Sequence, residues 1–163
     1  MRATSAPWLV LLAGCHFFVP DTRTPADRAG ELTSRCQAFP EDAAASLLAP
    51  AAIDSVEPAY SHVQSGPSFY QARLRGARIH LRPIATMSRE SIARSLECHQ
   101  SRVVLGAARG SADDPYAMAD HWLDIDVDSD KDGFVVQIGS DDMPTARDVL
   151  ERAKRFAAPR TAP

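Results

Sequence analysis

A change of phase within one alternating run constrains this chain more than any other feature. From Phe69 to Leu81, Arg73 and Arg75 alternate with Leu74; then Arg78, His80 and Arg82 alternate with Ile79 and Leu81. The polar positions thus move from odd to even numbers across Gly76-Ala77. A strand keeps one face apolar through such a switch only if a β-bulge absorbs one residue, so the spacing predicts a bulged strand with its bulge at Gly76-Ala77. Ile53 to Val63 reads as a preceding strand, and Pro58 assigns it an edge. Ser65-Gly66-Pro67-Ser68 between them is a turn.

Helical periodicity follows. Ser88 is the expected N-cap of a helix to Val103, with Ile92, Leu96, His99 and Val103 as its inner stripe. Gly106 to Tyr116 is expected as a polar loop. His121 to Val127 alternates again, Leu123, Ile125 and Val127 inward against Asp124 and Asp126. After a turn at Asp128 to Gly133, Phe134 to Ile138 forms its antiparallel partner. There Val135-Val136 leaves the inward face open. Pro144 to Phe156 is a final helix, with Ala146, Val149, Leu150, Ala153 and Phe156 inward. Strand-strand-helix occurs twice, so the expected fold is α+β: a four-stranded, mainly antiparallel sheet with two helices on one face, strand order open. Ahead of it, Ala29, Leu32, Cys36 and Phe39 mark a short amphipathic helix over Asp27 to Phe39, and Glu41 to Ala49 suggests a further helical turn. The expected division is 1–14 leader, 15–26 tether, 27–52 helical segment, 53–157 α+β domain and 158–163 frayed tail.

The 163 residues are one domain's worth, and 45% apolar residues suffice for one modest core. Aromatics at 7% argue against a broad stacking surface, and a net charge of -3 argues against a nucleic-acid partner.

The N-terminal residues carry an address. Arg2 precedes the apolar run Trp8-Leu9-Val10-Leu11-Leu12, which is far shorter than the ~20 residues of a membrane-spanning helix. The run ends in Leu12-Ala13-Gly14-Cys15, which resembles the bacterial lipobox. That resemblance covers about fifteen residues and implies cleavage before Cys15, a diacylglycerol on its thiol and acylation of the new amino group. Because residue 16 is His and not Asp, it also implies the outer membrane rather than the inner one. Two or more acyl chains at ~0.8 kcal/mol per buried CH₂ anchor stably.

With Cys15 assigned to lipid, Cys36 and Cys98 remain. An exported protein meets an oxidising space where such a pair closes. A bridge between them is worth roughly 4 kcal/mol in the chain-entropy model. The alternative is two separate thiols, one or both buried.

Charge is segregated. From Arg73 to Arg109 there are eight Arg against Glu90 and Glu97, and from Asp113 to Asp142 ten Asp against Lys131. Two accounts stand: neighbouring strands whose outer faces pair Arg78 and Arg82 with Asp124 and Asp126, or a two-signed surface for a partner. Asp128, Asp130 and Asp132, with Gly133, fit the D-x-D-x-D-G start of a calcium loop. The resemblance to the EF-hand stops at its twelfth position, here Gly139, and at flanks that read as strands. A plain Asp/Gly hairpin turn is the simpler reading, and calcium at Asp128, Asp130 and Asp132 the alternative. Cys98 and His99 are adjacent, but helical neighbours diverge by about 100° and do not readily share a metal. The chain contains no G-x-S-x-G, H-E-x-x-H, S-x-x-K or phosphate-loop motif. The expectation is a lipid-anchored envelope protein acting as a non-enzymatic binding or structural module, with no required cofactor and with the membrane and an envelope protein as partners. A calcium- or metal-dependent accessory domain is the second reading. A hydrolase, which would need His80, His99 or His121 to converge on a cleft, is a distant third.

Overall fold

A computed structural model describes residues 22–39, 47, 49–64, 70–85 and 87–158. Cys15 and its lipobox, most of the expected tether, the 65–68 turn, nearly all of the 41–49 turn and residues 159–163 lie outside the described residues. The elements are α1 (Pro25–Cys36), a 3₁₀ turn (Pro50–Ala52), β1 (Ile53–Gln64), β2 (Tyr70–Leu81), α2 (Arg89–Val104), β3 (Asp124–Asp130), β4 (Gly133–Gly139) and α3 (Met143–Ala157). The fold is α+β, with all strand pairs antiparallel in the order β1-β2-β4-β3.

That order follows from strand chemistry. β4 carries no charge from Gly133 to Gly139 and takes an interior position. β3 carries an Asp at every second residue and takes an edge, where charged side chains deter further pairing. The backbone N–H of Val127 also donates to its neighbour Asp126 Oδ1 at 3.0 Å. β1, holding Pro58, is the other edge, as its sequence predicts.

The β2 bulge is real and lies one residue before its expected place. Ala59 pairs with Gly76 and Tyr60 with Leu74, so Arg75 is the unpaired residue. Ala77, Ile79 and Leu81 are then buried, and Leu74 packs on the same core from before the bulge. Gly76 has φ +147°, and a Cβ there would overlap the Ile138 carbonyl oxygen. The open question on β4 is answered in favour of Val136 and Ile138, both fully buried.

α2 and α3 cover one face of the sheet. Ile92 and Leu96 of α2 and Val149, Leu150, Ala153 and Phe156 of α3 share a core with Ile79, Val127, Val136 and Ile138. Ser88 caps α2, its hydroxyl accepting from Ser91 N–H. Asp142 caps α3 through Thr145 N–H at 3.0 Å. α1 begins at Pro25, inside the expected tether, because Thr24 and Asp27 form a reciprocal capping box.

The single inner stripe expected on α2 is too narrow. Cys98 is buried outside it and bonded to Cys36, with the two Cα atoms 5.3 Å apart. Ser101 Oγ donates to Ala29 O at 2.9 Å, and Arg102 Nη2 donates to Cys36 O at 3.1 Å. α1 therefore forms a third layer on the back of α2.

Two further expectations are corrected. β3 starts at Asp124 rather than His121. The polar loop holds a buried end: Asp114 to Met118 are enclosed, and Tyr116 meets Phe156 edge-on at 6.2 Å. Gln100 explains how the chain settles before β3. Its fully buried amide donates to Leu123 O at 3.0 Å and accepts from Leu123 N–H at 2.8 Å, doing what a neighbouring strand would do.

Candidate functional site

The outer face of the sheet is left open by the helices, and its side chains form cross-strand rows. Glu57, Arg78, Gln137 and Asp126 lie in one register row; Ser55, His80, Val135 and Asp128 lie in the next. Arg78 and His80 of β2 make one wall, Asp128, Ser129 and Asp130 of β3 the other, and Val135 and Gln137 of β4 the floor between them. The depression over this floor measures about 300 Å³. It continues past His80 toward Asp54, Arg82, Asp132 and Phe134.

The Arg strand and the Asp strand are thus not neighbours, which corrects the simple pairing expected for Arg78 and Arg82. With β4 between them, the two rows stand two strand spacings apart, about 9.6 Å. At that distance, unit charges in water attract by only ~0.4 kcal/mol before salt screening. Arg78 Nη2 reaches Gln137 Oε1 at 3.5 Å, a marginal hydrogen bond. Arg82 turns the other way, to Asp54 at 3.7 Å. The exceptions are His80, whose Nδ1 comes within 3.9 Å of Asp130 across the floor, and Arg75. The bulge swings it over Gly139, where no side chain intervenes, and it reaches Asp124 at 3.4 Å and also Asp141. This bridge lies beyond the row of Arg78, Gln137 and Asp126.

His80 sits at the other end. Its Nδ1 is 3.9 Å from Asp130 and its Nε2 4.0 Å from Glu57, both beyond hydrogen-bond length. Asp128 is approached by Arg89 at 3.7 Å from the start of α2.

The proposed calcium ligands are spread out. Asp128 and Asp130 are strand residues of β3, and Asp130 pairs with Gly133 across a loop of Lys131 and Asp132 alone. Gly133, at φ +153°, lies against the Leu81 carbonyl and permits this tight return. Asp128, Asp130 and Asp132 therefore lie along a two-residue hairpin rather than around a loop. Among the described residues no three His, Cys, Asp or Glu side chains gather as metal ligands.

The three histidines do not meet. His80 is on the open face. His99 lies on the helical side, where its Nε2 is 2.6 Å from Asp114 Oδ2, and Asp114 Oδ1 accepts from Tyr116 N–H at 2.9 Å. His121 precedes β3 and bonds Asp120 at 2.9 Å; this contact lowers the Asp120 pKa. Burial raises the pKa of the Tyr116 hydroxyl. The Thr145 hydroxyl and then its N–H lower that of Asp142.

Sequence reading missed Gln100, Asp114 and Tyr116. The Asp114-Pro115 dipeptide is a turn signal that could have located Asp114. Nothing local marks Gln100, because its partner is 23 residues away. In comparisons with protein-family models, characterised proteins and solved structures, nothing matches this chain.

Proposed function

We propose that this chain is a lipid-anchored protein of the bacterial cell envelope, attached through acylated Cys15, whose body is a non-enzymatic binding module working through the open face of its sheet. The observation that carries the reading is the Cys36–Cys98 disulfide. A bridge that staples the first helix to the domain suits an oxidising compartment, and it leaves Cys15 as the one remaining cysteine, at the end of the apolar leader. Among the described residues, no helix is long and apolar enough to cross a membrane. A binding role is favoured by a broad, shallow, two-signed surface and by histidines that lie apart, each beside its own carboxylate.

The test is metabolic labelling with radioactive palmitate, combined with intact-mass analysis. The parent chain is expected to begin at Cys15, carry label and sediment with outer membranes. Cys15→Ala is expected to lose both label and sedimentation. Cys36 and Cys98 should resist alkylation until reduced. An uncleaved, unlabelled parent chain in the cytoplasm would overturn the proposal.

A further inference from the structure

We infer that β1 is an interface between two copies of this chain, which pair antiparallel along Pro58–Gln64 and join their four-stranded sheets into one. The inference rests on the lipid-anchored reading for the concentration of chains, and it adds the partner. Among the described residues, no strand pairs with the outer edge of β1. Sheet edges are ordinarily protected by charge, proline or a local irregularity. β3 is protected by its aspartates, one of which takes the Val127 N–H. The first half of β1 is protected by Asp54, Glu57, Pro58 and a register shift between Ile53 and Ser55. Its second half, Ala59-Tyr60-Ser61-His62-Val63-Gln64, carries no carboxylate, Lys, Arg or Pro. That half also presents two large apolar side chains to water, Tyr60 at 56% and Val63 at 44% exposed. β4 pairs with β2 only over Gly76–Leu81, so Tyr60–Gln64 and its partner residues in β2 form a two-stranded ribbon beyond it. Such a ribbon gains support from a third strand.

Symmetry fixes the register. Identical antiparallel strands in one sheet are related by a two-fold axis perpendicular to it, and opposed side chains share a face. The axis therefore passes beside a residue rather than between two. Placed at Ser61, it sets Tyr60 opposite His62 of the second copy and Ala59 opposite Val63. This is the longest overlap that brings in no charged residue: an axis at Tyr60 adds Glu57, and one at His62 shortens the pairing. Pro58, which has no N–H to donate, falls at the end of the overlap. The same axis leaves the helices of both copies on one side of the joined sheet. α1, where the tether enters, lies on that side, so both acyl anchors face one membrane and both open faces turn away from it. With β3 protected, pairing stops at two copies. The paired segment is only about 24 Å long, a narrow contact beside the ~1,600 Å² of a standard interface. Confinement to one membrane supplies the effective concentration that such a contact needs.

The experiment places a cysteine in the full chain at Ser61, or at Gln64 as a register control, and treats whole cells with a short, membrane-permeant bismaleimide. The parent chain gives the background. Beside the axis, the two Ser61 Cα atoms lie about 5 Å apart. The two Gln64 positions are separated by about 20 Å along the strands. The expected result is a dimer from Ser61→Cys at least tenfold above that from Gln64→Cys. Adding Tyr60→Lys puts a charge on the edge and should cut the Ser61→Cys dimer about tenfold, while the melting temperature stays that of Ser61→Cys alone. Four results would overturn the inference: no dimer above background in a folded chain, equal yields from both positions, an adduct with another protein in place of the dimer, or a dimer indifferent to Tyr60→Lys. Palmitate labelling of the same cells separates the two readings. A labelled chain without the Ser61→Cys dimer sinks the pairing alone, and an unlabelled chain that still dimerises at Ser61→Cys sinks the anchor alone.

Discussion

Replacing Gln100 with Leu isolates a single buried interaction. The side chain is fully buried and its amide satisfies both the N–H and the C=O of Leu123, itself 1% exposed. Leucine fills nearly the same volume but offers neither donor nor acceptor. Two buried backbone groups are then left unsatisfied at ~1–3 kcal/mol each, about 2–6 kcal/mol together. The extra apolar burial returns roughly 1–2 kcal/mol. The net loss expected is about 3 kcal/mol. For about 120 ordered residues at ~2.1 cal/mol/K each, the unfolding entropy is near 0.25 kcal/mol/K, so the melting temperature should drop by about 12 °C. Calorimetry reads the shift, and hydrogen exchange reads the Leu123 amide, which should lose protection before the β3–β4 ladder does. Gln100→Glu adds a sign test. A carboxylate can accept from Leu123 N–H but confronts its C=O, whereas a protonated carboxyl can both donate and accept. Folding thus favours the protonated form and raises the pKa of the introduced group. Its deficit relative to the parent should be smallest below the unfolded glutamate pKa of about 4.3 and grow as pH rises above it. If Gln100→Leu melts within about 2 °C of the parent with Leu123 still protected, the claim that this amide acts as a surrogate strand is wrong.

Three further outcomes follow from the same geometry. Cys36→Ala with Cys98→Ala opens a bridge across a separation of 62 residues, and the chain-entropy relation puts the loss at about 4 kcal/mol; unfolding with and without reductant measures it, and equal curves would refute it. Gly76→Ala places a methyl group on the Ile138 carbonyl at a backbone angle side chains rarely adopt, so a loss above ~2 kcal/mol or failure to fold is expected, and a parent-like denaturation midpoint would show that the bulge relaxes freely. The cap carboxylate of Asp142 has a lowered pKa, so its contribution is present above the ordinary carboxylate pKa and fades as pH falls through the depressed folded value; Asp142→Asn should flatten that part of the acid limb of a melting-temperature profile, and an unchanged profile would assign the acid dependence elsewhere.

Much of the fold was legible because its signals are local. The alternation and phase switch in β2 call for a bulge whatever lies beside the strand, and Arg75 shows that only its position within one residue was ambiguous. The apolar buried face of α3 was readable, since Ala146, Val149, Leu150, Ala153 and Phe156 share one stripe on a helix with one covered side, and only Thr145 joins them unannounced. On α2 the same reasoning fell short, because two sides are covered and the second cover, α1, lies more than fifty residues earlier. Tyr116 and Asp114 read as loop because the segment from Gly106 shows no helical or strand periodicity, and only packing against α3 and His99 encloses them.

By itself, then, the order of side chains determined the strands and helices, the buried faces of β2 and α3, the cysteines able to pair and the lipobox-like leader. Tertiary structure alone decided that β4 separates the arginine strand from the aspartate strand, and so that Arg78 and Arg82 do not pair with Asp124 and Asp126. The reason is that periodicity records which way a side chain points, whereas neighbourhood depends on the cheapest arrangement of whole strands. In this chain the uncharged strand goes to the middle and the charged one to the edge.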